Sequence, residues 1–139
     1  MLTEDLLEGK FIDFGLAEPT APYEKLQSKR GTQNYAAPEL GNLEDKNEPY
    51  VAYQGFEVDR FAFGILLFYM VTGECPWDEA SNKRVSVGNP GYRDIHLYEL
   101  FDTFWEYQEK IKKRWFSPEF KLIFQGLVIR DPSARLTLE

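Results

Sequence analysis

The apolar pattern of this chain predicts a mainly α-helical domain preceded by a short β-hairpin, and three observations carry that reading. Residues 61–71 form an unbroken apolar run closed by Gly73, apolar on every side as a fully buried helix is. Two later stretches repeat apolar side chains at i, i+3, i+4, i+7 spacing, the signature of one helix face: Leu97, Leu100, Phe101, Phe104 and Trp105, then Phe120, Ile123, Phe124, Leu127 and Val128. Strand character is confined to residues 6–12, with a turn at Glu8-Gly9. A length of 139 residues supports a single domain over 1–139.

In chain order, the hairpin delivers Asp13 to a strand end. Residues 16–30 are polar, contain two prolines and show neither period, so they read as a long loop. Residues 40–57 read as an acidic, polar connection. A central buried helix is expected at about 58–72, stopped by Gly73. Further helices are expected at about 95–107 and 118–129, the second capped by Ser117 with Pro118 in its first turn.

Composition narrows the function classes. Aromatics at 16% and apolar residues at 43% argue against disorder. The formal charge of −7 disfavours nucleic acid as a partner, since phosphate binding needs clustered cations. The cluster Lys110, Lys112, Lys113 and Arg114 reads as a solvated helix end. Residues 61–71 are too few to span a bilayer. Glu4, Asp5 and Glu8 are unlike the start of a secretory signal. Cys75, the single cysteine, cannot pair internally, which suits a reducing, cytoplasmic setting. His96 stands alone without Cys or acidic companions at ligand spacing, so a metal site built on it has no support.

The motifs are more specific than the composition. Asp13-Phe14-Gly15 is followed, about two dozen residues on, by Ala37-Pro38-Glu39 at the end of Gly31-Thr32-Gln33-Asn34-Tyr35-Ala36-Ala37-Pro38-Glu39. D-F-G and A-P-E bracket the activation segment of protein kinases. Asp59, Phe61 and Gly64 match the D-x-W-x-x-G of the central helix, with Phe for Trp. Gly73-Glu74-Cys75-Pro76-Trp77 matches the turn after it, and Asp131-Pro132-Ser133-Ala134-Arg135-Leu136-Thr137 matches D-P-x-x-R-x-T. On these residues the chain resembles the large, C-terminal lobe of a eukaryotic protein kinase domain of serine/threonine type, from just before D-F-G to D-P-x-x-R.

The resemblance implies transfer of the ATP γ-phosphoryl group to Ser or Thr of protein substrates, with ATP and Mg2+ as cofactors in the complete domain. It implies that Asp13 holds Mg2+ and that Phe14 is the apolar plug whose packing sets active or inactive states. Ser28 would be the activating phosphorylation site, ahead of Thr20 and Tyr23. Thr32 would support the catalytic loop, while Tyr35, Ala36 and Pro38 position the substrate. Asp59, which alone would read as a helix N-cap, becomes an anchor for the catalytic loop. Glu39 and Arg135 are expected to form a buried ion pair.

The Gly-rich loop, the strand lysine and H-R-D-x-K-x-x-N are not among these residues. Met1 is therefore expected to be an internal methionine of a longer kinase, with the N-terminal part of the domain missing and the last helix cut short. The isolated chain is expected to be inactive, with apolar surface at 61–71 left open to aggregation or partners. The alternative is a non-catalytic, pseudokinase-like binding or regulatory module.

Overall fold

Helix α1, Gly55–Thr72, runs through the middle of the molecule in the computed structural model, which describes residues 9–21, 23–28, 30–41, 51–77 and 101–137. It starts a turn earlier than the expected position near 58. Gln54 is its N-cap, and Asp59 lies inside the helix rather than at its cap. Glu57 falls in the first turn, where a negative charge suits the helix dipole, and its carboxylate takes a 2.9 Å bond from Arg60. The far end closes on Gly73, whose φ of 74° permits a left-handed stop and whose N–H reaches the Tyr69 carbonyl at 2.7 Å.

Helix α2, Phe101–Glu106, continues into a π-helical turn over Tyr107–Ile111, closed by the Lys112 N–H on the Tyr107 carbonyl. Helix α3, Pro118–Leu127, begins as the sequence predicts: Ser117 Oγ accepts the Phe120 N–H at 3.2 Å, and Pro118 occupies the first turn. It ends short of 129, at Leu127. Residues 95–100 of the expected second helix, and residues 6–8 of the expected hairpin, lie outside the described residues.

Residues 10–12, expected as the second strand of that hairpin, form no strand, and the described strand pair is a different one. Strand β1, Lys25–Leu26, pairs antiparallel with β2, Tyr53–Gln54, in the register Lys25↔Gln54 and Leu26↔Tyr53. This corrects the reading of 16–30 as loop throughout. A two-residue strand is too short to show a period, so its partner alone creates it. The ribbon ties the polar segment to the entry of α1.

The core lies where α1 crosses α3 and where the residues around α2 close over the crossing. Phe61, Ile65, Phe68, Trp77, Phe104, Trp105, Phe116, Phe124, Leu127 and Val128 are all buried. Phe124 sits among the rings, 5.3 Å from Phe68 and 5.6 Å, nearly parallel, from Phe104. Gly64 allows the close approach of the helices: a β-carbon there would fall 2.5 Å from Val128 Cγ2 and 3.0 Å from Leu127 Cβ. Two readings of burial are corrected. Helix α1 is not buried all round, since Met70 and Val71 are exposed and its packing partners lie along one face. Ile123, placed on the apolar stripe of α3 by spacing, is 45% exposed because the stripe is narrower than the periodicity implies.

Candidate functional site

Residues 13–17 turn sharply. Asp13 takes a left-handed φ of 64°, a conformation that Asp tolerates better than most residues. Its Oδ1 accepts the Gly15 N–H at 3.3 Å, and the Ala17 N–H reaches the Phe14 carbonyl at 3.0 Å. This turn forms one wall of an open cavity of about 760 Å3, whose other wall is α1, with Asp59, Phe63 and Leu66. Phe14 is not packed as a plug: it lines this cavity and remains 71% exposed.

Asp13 and Asp59 thus face one cavity from different elements. The Asp59 carboxylate has no hydrogen-bond partner among the described residues. Although much of the residue is exposed, desolvation raises its carboxyl above the ordinary aspartate range. No group of three or more His, Cys, Asp or Glu stands ready to hold a metal among the described residues. One hard carboxylate fits Mg2+ in the way that ion usually binds, through one or two carboxylates with the remaining positions on water and substrate phosphate.

Residues 31–41 fold as two short 3-10 turns, Gln33–Tyr35 and Pro38–Leu40. Thr32 precedes the first turn with its side chain exposed, and its carbonyl accepts the Tyr35 N–H at 2.9 Å. Ala36, Ala37 and Pro38 are buried against the core, which makes this segment a rigid ledge. Tyr35 packs beside them. Burial first, then Cys75 and Tyr69, raise its phenol above the usual value.

Glu39 fixes the end of the ledge. Arg135 Nη1 and Nη2 donate to its two carboxylate oxygens at 2.6 and 2.8 Å, a bidentate pair joining residues 96 apart in sequence. The Arg135 side chain is fully buried, and its charge is satisfied on all sides. Nε donates to the Ile129 carbonyl at 2.9 Å, Nη1 also to the Glu57 carbonyl at 2.7 Å, and Nη2 to the Arg130 carbonyl at 3.4 Å. The guanidinium carbon lies 5.0 Å from the centre of the Phe61 ring. The pair that the kinase resemblance implies is therefore present and ties the ledge to α1.

Ser28 lies apart from this cavity wall, on the ribbon side. Its hydroxyl donates to Glu18 Oε2 at 2.7 Å, and the Tyr53 hydroxyl donates to its carbonyl at 2.6 Å. Glu18 and Tyr53 carry no motif and were invisible to sequence reasoning. Only their contacts, across 10 and 25 residues, place them beside Ser28.

A family model described as the protein kinase domain matches residues 1–139. The chain is 27% identical over its full length to the SNF1-like protein kinase ssp2 of Schizosaccharomyces pombe, of which it covers 20%. It is 30% identical over 94% of its length to protein kinase kin1 of the same yeast, covering 12% of it. It is 35% identical over 99% of its length to the carbon catabolite-derepressing protein kinase of Candida tropicalis, covering 19%. The chain spans a fifth or less of these relatives.

Proposed function

Because the chain belongs to the protein kinase domain family, we propose that it supplies the metal-binding, activation and substrate-positioning part of a serine/threonine protein kinase. The observation that carries this reading is the pairing of two motif ends, Glu39 and Arg135, which holds residues 31–39 as a ledge beside the cavity of Asp13. Asp13 is the residue that would hold Mg2+, which when bound neutralises charge on the transferred phosphoryl group. Its place on a turn leaves the carboxylate facing the cavity, where nucleotide phosphates would complete the ligand set. Thr32, exposed at the start of the ledge, would support the catalytic loop. Tyr35, Ala36 and Pro38 would seat the acceptor peptide. Ser28 would be the regulatory phosphorylation site.

The substrate is a protein Ser or Thr hydroxyl, as the relatives are named kinases and Thr32 matches the position that marks the serine/threonine type. No described helix is long and apolar enough to cross a membrane. The test is transfer of labelled phosphate from ATP to a Ser/Thr peptide library by the protein purified from its native cell. Asp13→Asn should lower the rate more than about 100-fold, since metal charge stabilisation is worth several kcal/mol. The 139-residue chain alone should give no transfer. An Asp13→Asn protein that transferred phosphate as fast as the unsubstituted one, or no transfer by either, would overturn the reading in favour of a binding module.

A further inference from the structure

We propose that residues 110–116 form a contact site for an anionic lipid surface, entered by Trp115 and Ile111 and held by the cations around them. Sequence alone reads these cations as a solvated helix end. The structure adds two large apolar side chains left in water, Ile111 at 66% exposure and Trp115 at 78%. Local bonding holds them there. After the π-helical turn, the Arg114 N–H reaches the Gln108 carbonyl at 3.0 Å, and Arg114 Nη1 donates to the buried Gln108 side chain at 3.0 Å. Phe116 then enters the core, stacked 5.7 Å from Phe68. Arg114 and Phe116 turn inward, so Lys113 and Trp115, alternating with them, are left exposed. Lys113 takes a left-handed φ of 56° and has no ionic partner among the described residues.

Charge complementarity selects the occupant. Lys110 and Lys121 each have a glutamate of their own, Glu106 and Glu109. Lys112, Lys113 and Arg114 have Glu74 alone, which Lys112 Nζ meets at 3.2 Å and Arg114 Nη2 at 2.9 Å. Three cations against one carboxylate leave a local positive surplus in a chain whose net charge is −7. At physiological ionic strength charges beyond about 8 Å are largely screened, so an anionic surface meets this patch rather than the net charge. Each Lys or Arg close to an anionic leaflet is worth about fivefold in affinity. Trp115 joins an apolar ring to an N–H, the combination that settles at headgroup depth, and Ile111 adds further apolar area. A peptide instead takes a groove or a sheet edge, and single-stranded nucleic acid takes a run of stacking aromatics. Here the two apolar side chains protrude, and one of them is aliphatic.

The test is co-sedimentation of the protein purified from its native cell with phosphatidylcholine vesicles holding about 30% phosphatidylserine, beside vesicles of phosphatidylcholine alone. Binding to the anionic vesicles is expected, weakened at least about tenfold when salt is raised to about 0.5 M. Lys113→Gln should weaken it about fivefold, and Trp115→Ala at least about tenfold. Glu74→Gln should strengthen it about fivefold, because Lys112 and Arg114 are then free for the lipid. Brominated lipid should quench tryptophan emission. Trp115→Phe should remove that quenching while keeping most of the binding, since Trp77 and Trp105 are buried in the core. Equal binding to both kinds of vesicle, no loss with Trp115→Ala, or no gain with Glu74→Gln overturns the proposal. If Trp115→Ala loses its cooperative melt, the quenching difference of Trp115→Phe decides. Binding of a glutamate-rich peptide or of oligothymidylate through Lys113 and Trp115, without binding to vesicles, overturns it in favour of a protein or nucleic-acid partner. Transferase activity is not read, so failure of the kinase reading leaves these outcomes unchanged.

Discussion

Arg135 is buried at the cost of its hydration, and the structure offsets that cost at each of its nitrogens. Five acceptors surround it: the two oxygens of Glu39 and the carbonyls of Glu57, Ile129 and Arg130. Removing either member of the Arg135–Glu39 pair strands a charge in the interior. Arg135→Ala or Glu39→Ala should therefore destabilise the fold by about 3–5 kcal/mol, measured by urea denaturation. Arg135→Lys should not rescue it, because a point charge cannot reproduce the two-pronged contact. Two aspartates should respond to pH in opposite senses. Asp131 accepts from Ser133 Oγ at 2.7 Å and Ser133 N at 2.9 Å, bonds that lower its pKa in the folded state. Its contribution is fully present above the unfolded value of about 3.9 and is lost as pH falls through the folded value. Ser133→Ala should therefore lower the urea midpoint near neutral pH, with the difference vanishing in acid. Asp59 has its pKa raised by desolvation, so the folded state binds the proton more tightly. Its effect is a loss of stability as pH rises from the unfolded value through the folded one, and Asp59→Asn should flatten that part of the profile.

The elements differ in how much of them could be read from the chain. Helix α3 was legible at its start because Ser117 and Pro118 are local signals whose physics acts within one turn. Helix α1 was legible in its body and its Gly73 stop, but its start was not. Glu57 joins it through a bond with Arg60 that hydropathy does not record, and Gln54, the N-cap, makes no side-chain capping bond. Ribbon β1–β2 was not legible, since two residues on each side leave no pattern. Side-chain partners followed the same division. The Glu39–Arg135 pair was implied by the resemblance of its two motifs to those of kinases, whereas Glu18 and Tyr53 meet Ser28 only through the path of the chain. Exposure of Phe14 also escaped the sequence, because its reading as an apolar plug came from the family resemblance, which cannot reveal an open cavity. At the crossing of α1 and α3, Gly64→Ala should destabilise by about 1–2 kcal/mol, the overpacking against Val128 and Leu127 outweighing about 1 kcal/mol of improved helix propensity. Thermal melts of the two proteins would show the sign.

At the scale of the whole molecule, the ring cluster is the main store of apolar burial among the described residues. Phe124 touches the rings of Phe68 on α1, of Phe104 and Trp105 on α2, and of Trp77 after α1, so it joins most of the described structure. Phe124→Ala should cost about 3–5 kcal/mol, a large share of the roughly 5–15 kcal/mol typical of a domain. Loss of the near-ultraviolet circular dichroism of these aromatics at ambient temperature would report it.

The reach of Arg135 also sets a schedule for a chain made from its N-terminus. Glu39 leaves the ribosome 96 residues before the side chain that neutralises it. At about 5–20 residues per second, that interval is roughly 5–20 s. Throughout it Glu39 has no guanidinium to pair with, so residues 31–39 stay open to chaperones and proteases until Arg135 has itself left the ribosome.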